Sequence, residues 1–185
     1  MPDSADTMRA ILDEADCLVD QPGVEAALER MATQITDTLA NADPLIYVVM
    51  NGGVVLAGQL LPRLGFPLEV AYLHATRYGA ATQGQTIEWR VPPTRAPAGR
   101  HVLVLDDILD EGHTLAAIMD RLGEAGAASV RSAVLVHKQH ERKARQNMRA
   151  DFTGVDVADR FLFGYGMDYR GYWRNAPGIF AVKGL

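Results

Sequence analysis

Between Val102 and Leu115 the chain reads Val-Leu-Val-Leu-Asp-Asp-Ile-Leu-Asp-Glu-Gly-His-Thr-Leu. An apolar run ends on two adjacent carboxylates, adds a third, turns at a glycine and resumes on a hydroxyl. Each part has a chemical use. Asp106 and Asp107 offer paired acceptors for a vicinal diol. Gly112 lets backbone N–H groups come close to a phosphate, and a helix starting just beyond adds partial positive charge. Thr114 supplies one more donor. In open α/β sheets ligands sit outside the carboxyl ends of strands, which is where this segment falls. The plain alternative is an ordinary strand–turn–helix in which Asp110 and Glu111 complement the helix dipole. That alternative has no use for two consecutive aspartates directly after a strand.

The segment resembles the ribose-phosphate fingerprint of the type I phosphoribosyltransferases: four apolar residues, two acids, two apolar residues, Asp, any residue, Gly, any residue, Thr. Glu111 departs from it, since the family usually has a small or hydroxylic residue there. Downstream, Lys138, the segment Phe161-Leu162-Phe163-Gly164-Tyr165-Gly166-Met167-Asp168-Tyr169 and Arg174 are similar to the hypoxanthine-guanine members, where a lysine, an aromatic-led strand, an Asp and an Arg recur in that order. The resemblance runs from about residue 45 to 179.

What the resemblance implies can be carried over by residue. Asp110 is the expected general base toward the purine N7 proton. Asp106 and Asp107 are expected to hold the ribose hydroxyls, directly or through a metal. Asp110, Glu111, Gly112, His113 and Thr114 form the expected 5′-phosphate loop. Lys138 is expected at the 6-oxo group, Phe161 stacked on the purine, the Leu162 backbone at its edge, and Asp168 at a second Mg²⁺. Asn51, Gly52 and Arg174 fall where pyrophosphate is bound, with Asn51 in place of the family's usual Lys. Arg77 and Tyr78 fall in the family's mobile loop, usually Ser-Tyr, and Arg77 is expected to return the charge that Asn51 lacks.

The implied reaction is purine salvage: phosphoribosyl transfer from phosphoribosyl pyrophosphate to hypoxanthine or guanine, giving IMP or GMP. Departure of pyrophosphate builds negative charge on the leaving group, so Mg²⁺ is the implied cofactor. Two alternatives stay open: a regulator of the same fold that binds ligand without turnover, and an enzyme preferring xanthine. Retention of Asp110, Lys138, Asp168 and Arg174 together favours an enzyme.

These residues need elements to hold them. Over residues 5–39 apolar side chains recur at three and four, broken near Gln21-Pro22-Gly23, which predicts two helices. Residues 45–50 form a continuous apolar run expected to be a strand buried on both faces. Residues 54–64 predict a helix and 68–73 a strand. A strand at 101–105, a helix at 114–124 and strands at 129–136 and 161–165 follow. The alternation predicts an α/β fold, a mostly parallel twisted sheet flanked by helices. Residues 75–97, with Gly79, Gly84, Pro92, Pro93 and Pro97, lose the pattern and are expected to be a mobile lid that closes over a water-sensitive reaction. One domain over residues 1–185 is expected, with a helical leader at 1–40 outside the resemblance.

Composition sets the outer bounds. The chain has 185 residues, 48% hydrophobic and 22% charged, with a formal net charge of −5. That describes one globular domain. It has no apolar run long enough to span a membrane and no signal-peptide pattern at the N-terminus. A lone Cys17 fits a reducing, cytoplasmic setting and reads as a small buried or half-buried hydrophobe. An acidic balance argues against nucleic acid as partner. It also requires an anionic substrate to be bound by local geometry. The family suggests a homodimer or homotetramer. Several features keep plain readings. His137 and His140 lack partners at zinc spacing. His113 either touches phosphate or covers a helix start. Lys138, Arg142, Lys143, Arg145 and Arg149 read as a solvated helix face. Tyr165, Tyr169, Tyr172 and Trp173 suit either a subunit interface or internal packing.

Overall fold

The computed structural model describes residues 4–77 and 87–184. In chain order the elements are α1 (Ala5–Glu14), β1 (Asp16–Val19), α2 (Gln21–Leu39), β2 (Leu45–Val49), α3 (Gly53–Leu60) with a 3₁₀ turn at Leu61–Arg63, β3 (Glu69–Arg77), β4 (Ile87–Val91), β5 (His101–Leu109), α4 (His113–Glu124), β6 (Ser129–Gln139), β7 (Phe152–Ala158), β8 (Leu162–Phe163) and β9 (Ile179–Ala181).

Six strands form the main sheet in the order β4-β3-β2-β5-β6-β7. Every neighbouring pair is parallel except β3–β4. The central strands are apolar throughout because both of their faces are covered. Ile46, Val48, Leu103 and Leu105 pack with α2 and α3 on one face. Leu45, Tyr47, Val102 and Val104 pack with Leu115, Ile118 and Leu122 of α4 on the other. A second, antiparallel sheet of order β1-β9-β8 sits beside the first. No helix among the described residues is long and apolar enough to cross a membrane.

The sheet opens a crevice where two strands differ in length. β2 pairs with β5 as far as Val48↔Leu105, and the chain then turns into α3. β5 continues along β6 through Asp106↔Val134 to Leu109↔His137. Beyond Leu105, β5 has no β2 neighbour, and Asp106, Asp107 and Ile108 face the gap. The expected strand at 101–105 is therefore too short, because the aspartates belong to the strand.

Other expectations are corrected. The break in the leader falls at β1. Gln21-Pro22-Gly23 is the first turn of α2, capped by the Asp20 carboxylate accepting from the Gly23 N–H at 3.0 Å. Proline is tolerated there because its missing N–H would have had no helical partner. The leader is thus integral: α2 buries Val24, Leu28, Met31 and Ile35 in the core, and β1 pairs with β9. At the two sides of the stretch expected as a lid, β3 runs to Arg77 and pairs antiparallel with β4, Ile87–Val91, while residues 78–86 lie outside the described residues. Tyr78 lies outside the described residues. The basic segment after β6 is irregular, and Lys138 lies within β6. The strand expected at 161–165 is two residues long, Leu162–Phe163. Cys17 is exposed, on the edge strand β1.

Candidate active site

The crevice at the end of β5 holds two adjoining cavities. The larger, about 430 Å³, is lined by Asn51 and Gly52 from the β2–α3 turn, Asp106, the loop 110–114, Arg90 of β4 and Arg174. The smaller, about 320 Å³, is lined by Lys138, Phe161, Leu162, Met167 and Asp168. Both share Asp107, Ile108 and Asp110. The expected residues that line these cavities therefore meet in one place, on two sides of Asp107 and Asp110. Arg77 ends β3 at the mouth strand, and its backbone pairs with Ile87.

The loop 110–114 has the build expected of a phosphate cradle. Gly112 is the N-cap of α4 at φ 85°, a left-handed conformation that favours glycine. A Cβ there would also strike Leu109 and Met148. Ser4 and Asp20 cap α1 and α2 with side-chain bonds, whereas α4 has no side-chain cap. Its first N–H groups, at the positive end of the helix dipole, border the larger cavity. The Glu111 carboxylate lies 3.8 Å from His113 Nε2, so the acid that departs from the family pattern faces an imidazole of its own loop.

Asp106 and Asp107 sit side by side, with Asp106 Oδ1 accepting the Asp107 backbone N–H at 3.0 Å. Burial pushes the Asp106 carboxyl well above the usual range, and the neighbouring Asp107 charge adds to it. Burial also raises Asp107, against the opposing pull of Asp106 and Arg174. Two crowded hard-oxygen donors that resist ionising together fit a divalent cation. Gly52 packs against Asp107 so closely that a Cβ on it would overlap the carboxylate. Arg174 spans the site: its Nη1 donates to Gly166 O and lies 3.9 Å from Asp107 Oδ2, while Nη2 pairs with Asp168 Oδ1. The other Asp168 oxygen accepts the Gly171 N–H at 2.7 Å.

On the second side, Lys138 is 12% exposed, with Nζ 3.3 Å from Asp110 Oδ2 and 3.2 Å from Asp159 Oδ1. It is an ion-paired cavity residue, contrary to the solvated-face reading. His140 Nε2 lies 2.7 Å from Asp110 Oδ1. Burial alone would raise the Asp110 carboxyl, but the His140 hydrogen bond and the Lys138 ammonium pull it below the ordinary carboxylate range. Asp110, His140 and Asp159 form a cluster of potential metal donors, but the Lys138 ammonium already lies against both carboxylates. Lys143 Nζ donates to the carbonyls of Leu109, Asp110 and Lys138, tying the ends of β5 and β6 together. Phe161 is 45% exposed at the cavity edge, its ring held edge-on by Tyr169 at 5.6 Å. Tyr165 is buried and Trp173 Nε1 donates to Met8 O at 2.7 Å, so these two pack within the domain.

Sequence reasoning missed Arg90, His140 and Asp159. Arg90 sits among polar and apolar alternation in β4 that could have been read as an edge strand. His140 and Asp159 carry no local signal, because His140 lies just past β6 and Asp159 just past β7, and the pairing of these strands side by side with β5 is what brings both to Asp110.

Residues 14–170 match the family model described as phosphoribosyl transferase domain. The chain is 30% identical over 168 residues to the hypoxanthine-guanine phosphoribosyltransferase of Streptococcus pneumoniae R6, covering 90% of this chain and 92% of that one. It is 28% identical to the hypoxanthine-guanine-xanthine phosphoribosyltransferase of Tritrichomonas foetus, covering 90% of both. A solved structure of a hypoxanthine-guanine-xanthine phosphoribosyltransferase superposes with a TM-score of 0.82 at 28% identity, over 92% of this chain and 99% of that one.

Proposed function

This chain belongs to the phosphoribosyl transferase domain family, and from that premise we propose that it is a purine-salvage enzyme. It transfers the 5-phosphoribosyl group of phosphoribosyl pyrophosphate to hypoxanthine or guanine, giving IMP or GMP and pyrophosphate. The observation that carries this reading is the sharing of Asp107 and Asp110 by two cavities, one built for a sugar phosphate and one for a flat ring.

The residues divide the work by chemistry. The amides of the 110–114 loop and Thr114 hold the 5′-phosphate. Asp106 and Asp107 hold the ribose hydroxyls, directly or through metal. Phe161 stacks on the purine, and the Leu162 backbone reads its edge. Lys138 donates to the 6-oxo oxygen; a 6-amino group would turn another donor toward it, which disfavours adenine. As the purine N9 bonds to the anomeric carbon, the bond to pyrophosphate breaks and Asp110 takes the N7 proton. Such general-base help is worth roughly 10²–10⁴-fold. Arg174 and the Asn51-Gly52 turn receive the pyrophosphate. Asp106 and Asp107, with Asp168 for a second ion, would hold Mg²⁺, which would supply neutralising charge to the substrate oxygens. Arg90 brings to the larger cavity a cation that Asn51 does not.

We place the enzyme in the cytoplasm as a homodimer or homotetramer. Val54 on α3 and Val70 and Tyr72 on β3 stay 45–49% exposed around one apolar groove, which supports burial against a second copy. The test of function is a panel of bases. Protein, phosphoribosyl pyrophosphate and Mg²⁺ are mixed with hypoxanthine, guanine, xanthine or adenine, and nucleotide formation is followed by ultraviolet absorbance. Hypoxanthine and guanine are expected to react and adenine to fail. Turnover of xanthine alone would move the specificity, and binding without any product would point to the regulator.

A further inference from the structure

We propose that His140 is a positioning residue for the Asp110 carboxylate, anchoring one oxygen through a neutral imidazole whose tautomer the backbone fixes. The proposal rests on the reading of Asp110 as the base. The His140 side chain is only 4% exposed. Its Nδ1 accepts the backbone N–H of Arg142 at 3.1 Å, and its Nε2 lies 2.7 Å from Asp110 Oδ1. A ring nitrogen that accepts an N–H carries no proton. The proton of the neutral ring therefore sits on Nε2 and is donated to Asp110. A doubly protonated ring would set Nδ1–H against the Arg142 N–H. The cations around the pair are Lys138, Arg142, Lys143 and His137 when protonated, and the facing acids are Asp159 and Glu111.

The arrangement divides the two carboxylate oxygens between two tasks. Oδ1 is tied to His140, while Oδ2 faces the Lys138 ammonium. When a 6-oxopurine draws the Lys138 ammonium to its carbonyl, Oδ2 is released toward the N7 proton. The His140 bond then keeps the carboxylate from rotating. Lys143 has already fixed the Asp110 backbone through its carbonyl, so the side-chain torsion is what His140 adds.

Two experiments test this, and the first needs no activity. Two-bond ¹H–¹⁵N correlation in labelled protein at neutral pH is expected to show His140 as the Nε2–H tautomer. A Nδ1–H tautomer or a doubly protonated ring would overturn the proposal while leaving the assigned reaction untouched. The second compares His140→Phe, which keeps a flat ring without the donor, with His140→Gln, whose amide places an N–H near Nε2. His140→Phe is expected to lower kcat about tenfold, the worth of one hydrogen bond to a charged group, with KM for phosphoribosyl pyrophosphate unchanged. The acid limb of kcat/KM is expected to move to higher pH, because the lost bond had been lowering Asp110. His140→Gln is expected to recover most of both. An unchanged kcat and limb in His140→Phe, or equal losses in the two variants with an unmoved limb, would overturn the proposal.

Discussion

In the proposed reaction Asp110 is the base, and its surroundings set a pH dependence with a definite sign. Its carboxyl lies below the ordinary range, because His140 and Lys138 outweigh the effect of burial. The ionised base is then available down to lower pH than a free aspartate would be. The acid limb of kcat/KM assigned to Asp110 is expected below about pH 4, the unperturbed aspartate value. A pH profile with that limb one unit or more above the free-aspartate value would contradict the geometry. Asp110→Asn is expected to lower kcat by roughly 10²–10⁴-fold with little change in KM for phosphoribosyl pyrophosphate. Single-turnover rates would read the loss. The residues of this cluster were unequally legible in the sequence. Asp106, Asp107, Asp110 and Thr114 lie within nine residues, so one motif contained them. Lys138 and Arg174 were reached through family resemblance, and their ion pairs could not be read from their neighbours in the chain. His140 and Asp159 were missed, since they follow the ends of β6 and β7 and only the pairing of those strands beside β5 brings them to Asp110.

At the scale of elements, the site exists because β5 outruns β2. Hydrophobic runs revealed both strands, but run length alone placed the end of β5 at Leu105. Pairing with β6 carries it four residues further, through polar side chains that a hydrophobic pattern cannot count. β4 and β7 were missed for a related reason: β4 alternates half-buried with exposed residues, and β7 alternates in part beside a partly polar edge. The turn where β2 stops has its own requirement. Gly52→Ala would drive a methyl group into the Asp107 carboxylate. It is expected to destabilise the fold by about 1–3 kcal/mol, read by denaturant midpoint, and to raise KM for phosphoribosyl pyrophosphate at least tenfold. Unchanged KM would mean that the turn accommodates the shift away from the site. On the same strand pair, Leu103 is fully buried against α2 and α3. Leu103→Ala is expected to cost about 2–5 kcal/mol of stability. It should leave kcat nearly unchanged in the fraction that remains folded.

For the whole molecule, a net charge of −5 is a poor match to a polyanionic substrate. The structure concentrates the answer in one crevice: an uncapped helix start, Arg174, Arg90 and Lys138 around a pair of carboxylates suited to a divalent cation. The charge is local, and composition could only pose the question. The exposed apolar groove between α3 and β3 extends the same reasoning to assembly. Tyr72→Glu is expected to shift the sedimenting species toward monomer, and an unaltered mass would place the contact elsewhere. The central claim is the transfer reaction itself. Chromatographic measurement of IMP and pyrophosphate formed from hypoxanthine and phosphoribosyl pyrophosphate, with Mg²⁺ and with chelator, tests it most directly. The two products are expected in equal amounts, formed with Mg²⁺, suppressed by chelator and nearly absent with Asp110→Asn. No IMP from correctly folded protein at saturating substrates and Mg²⁺ would contradict it.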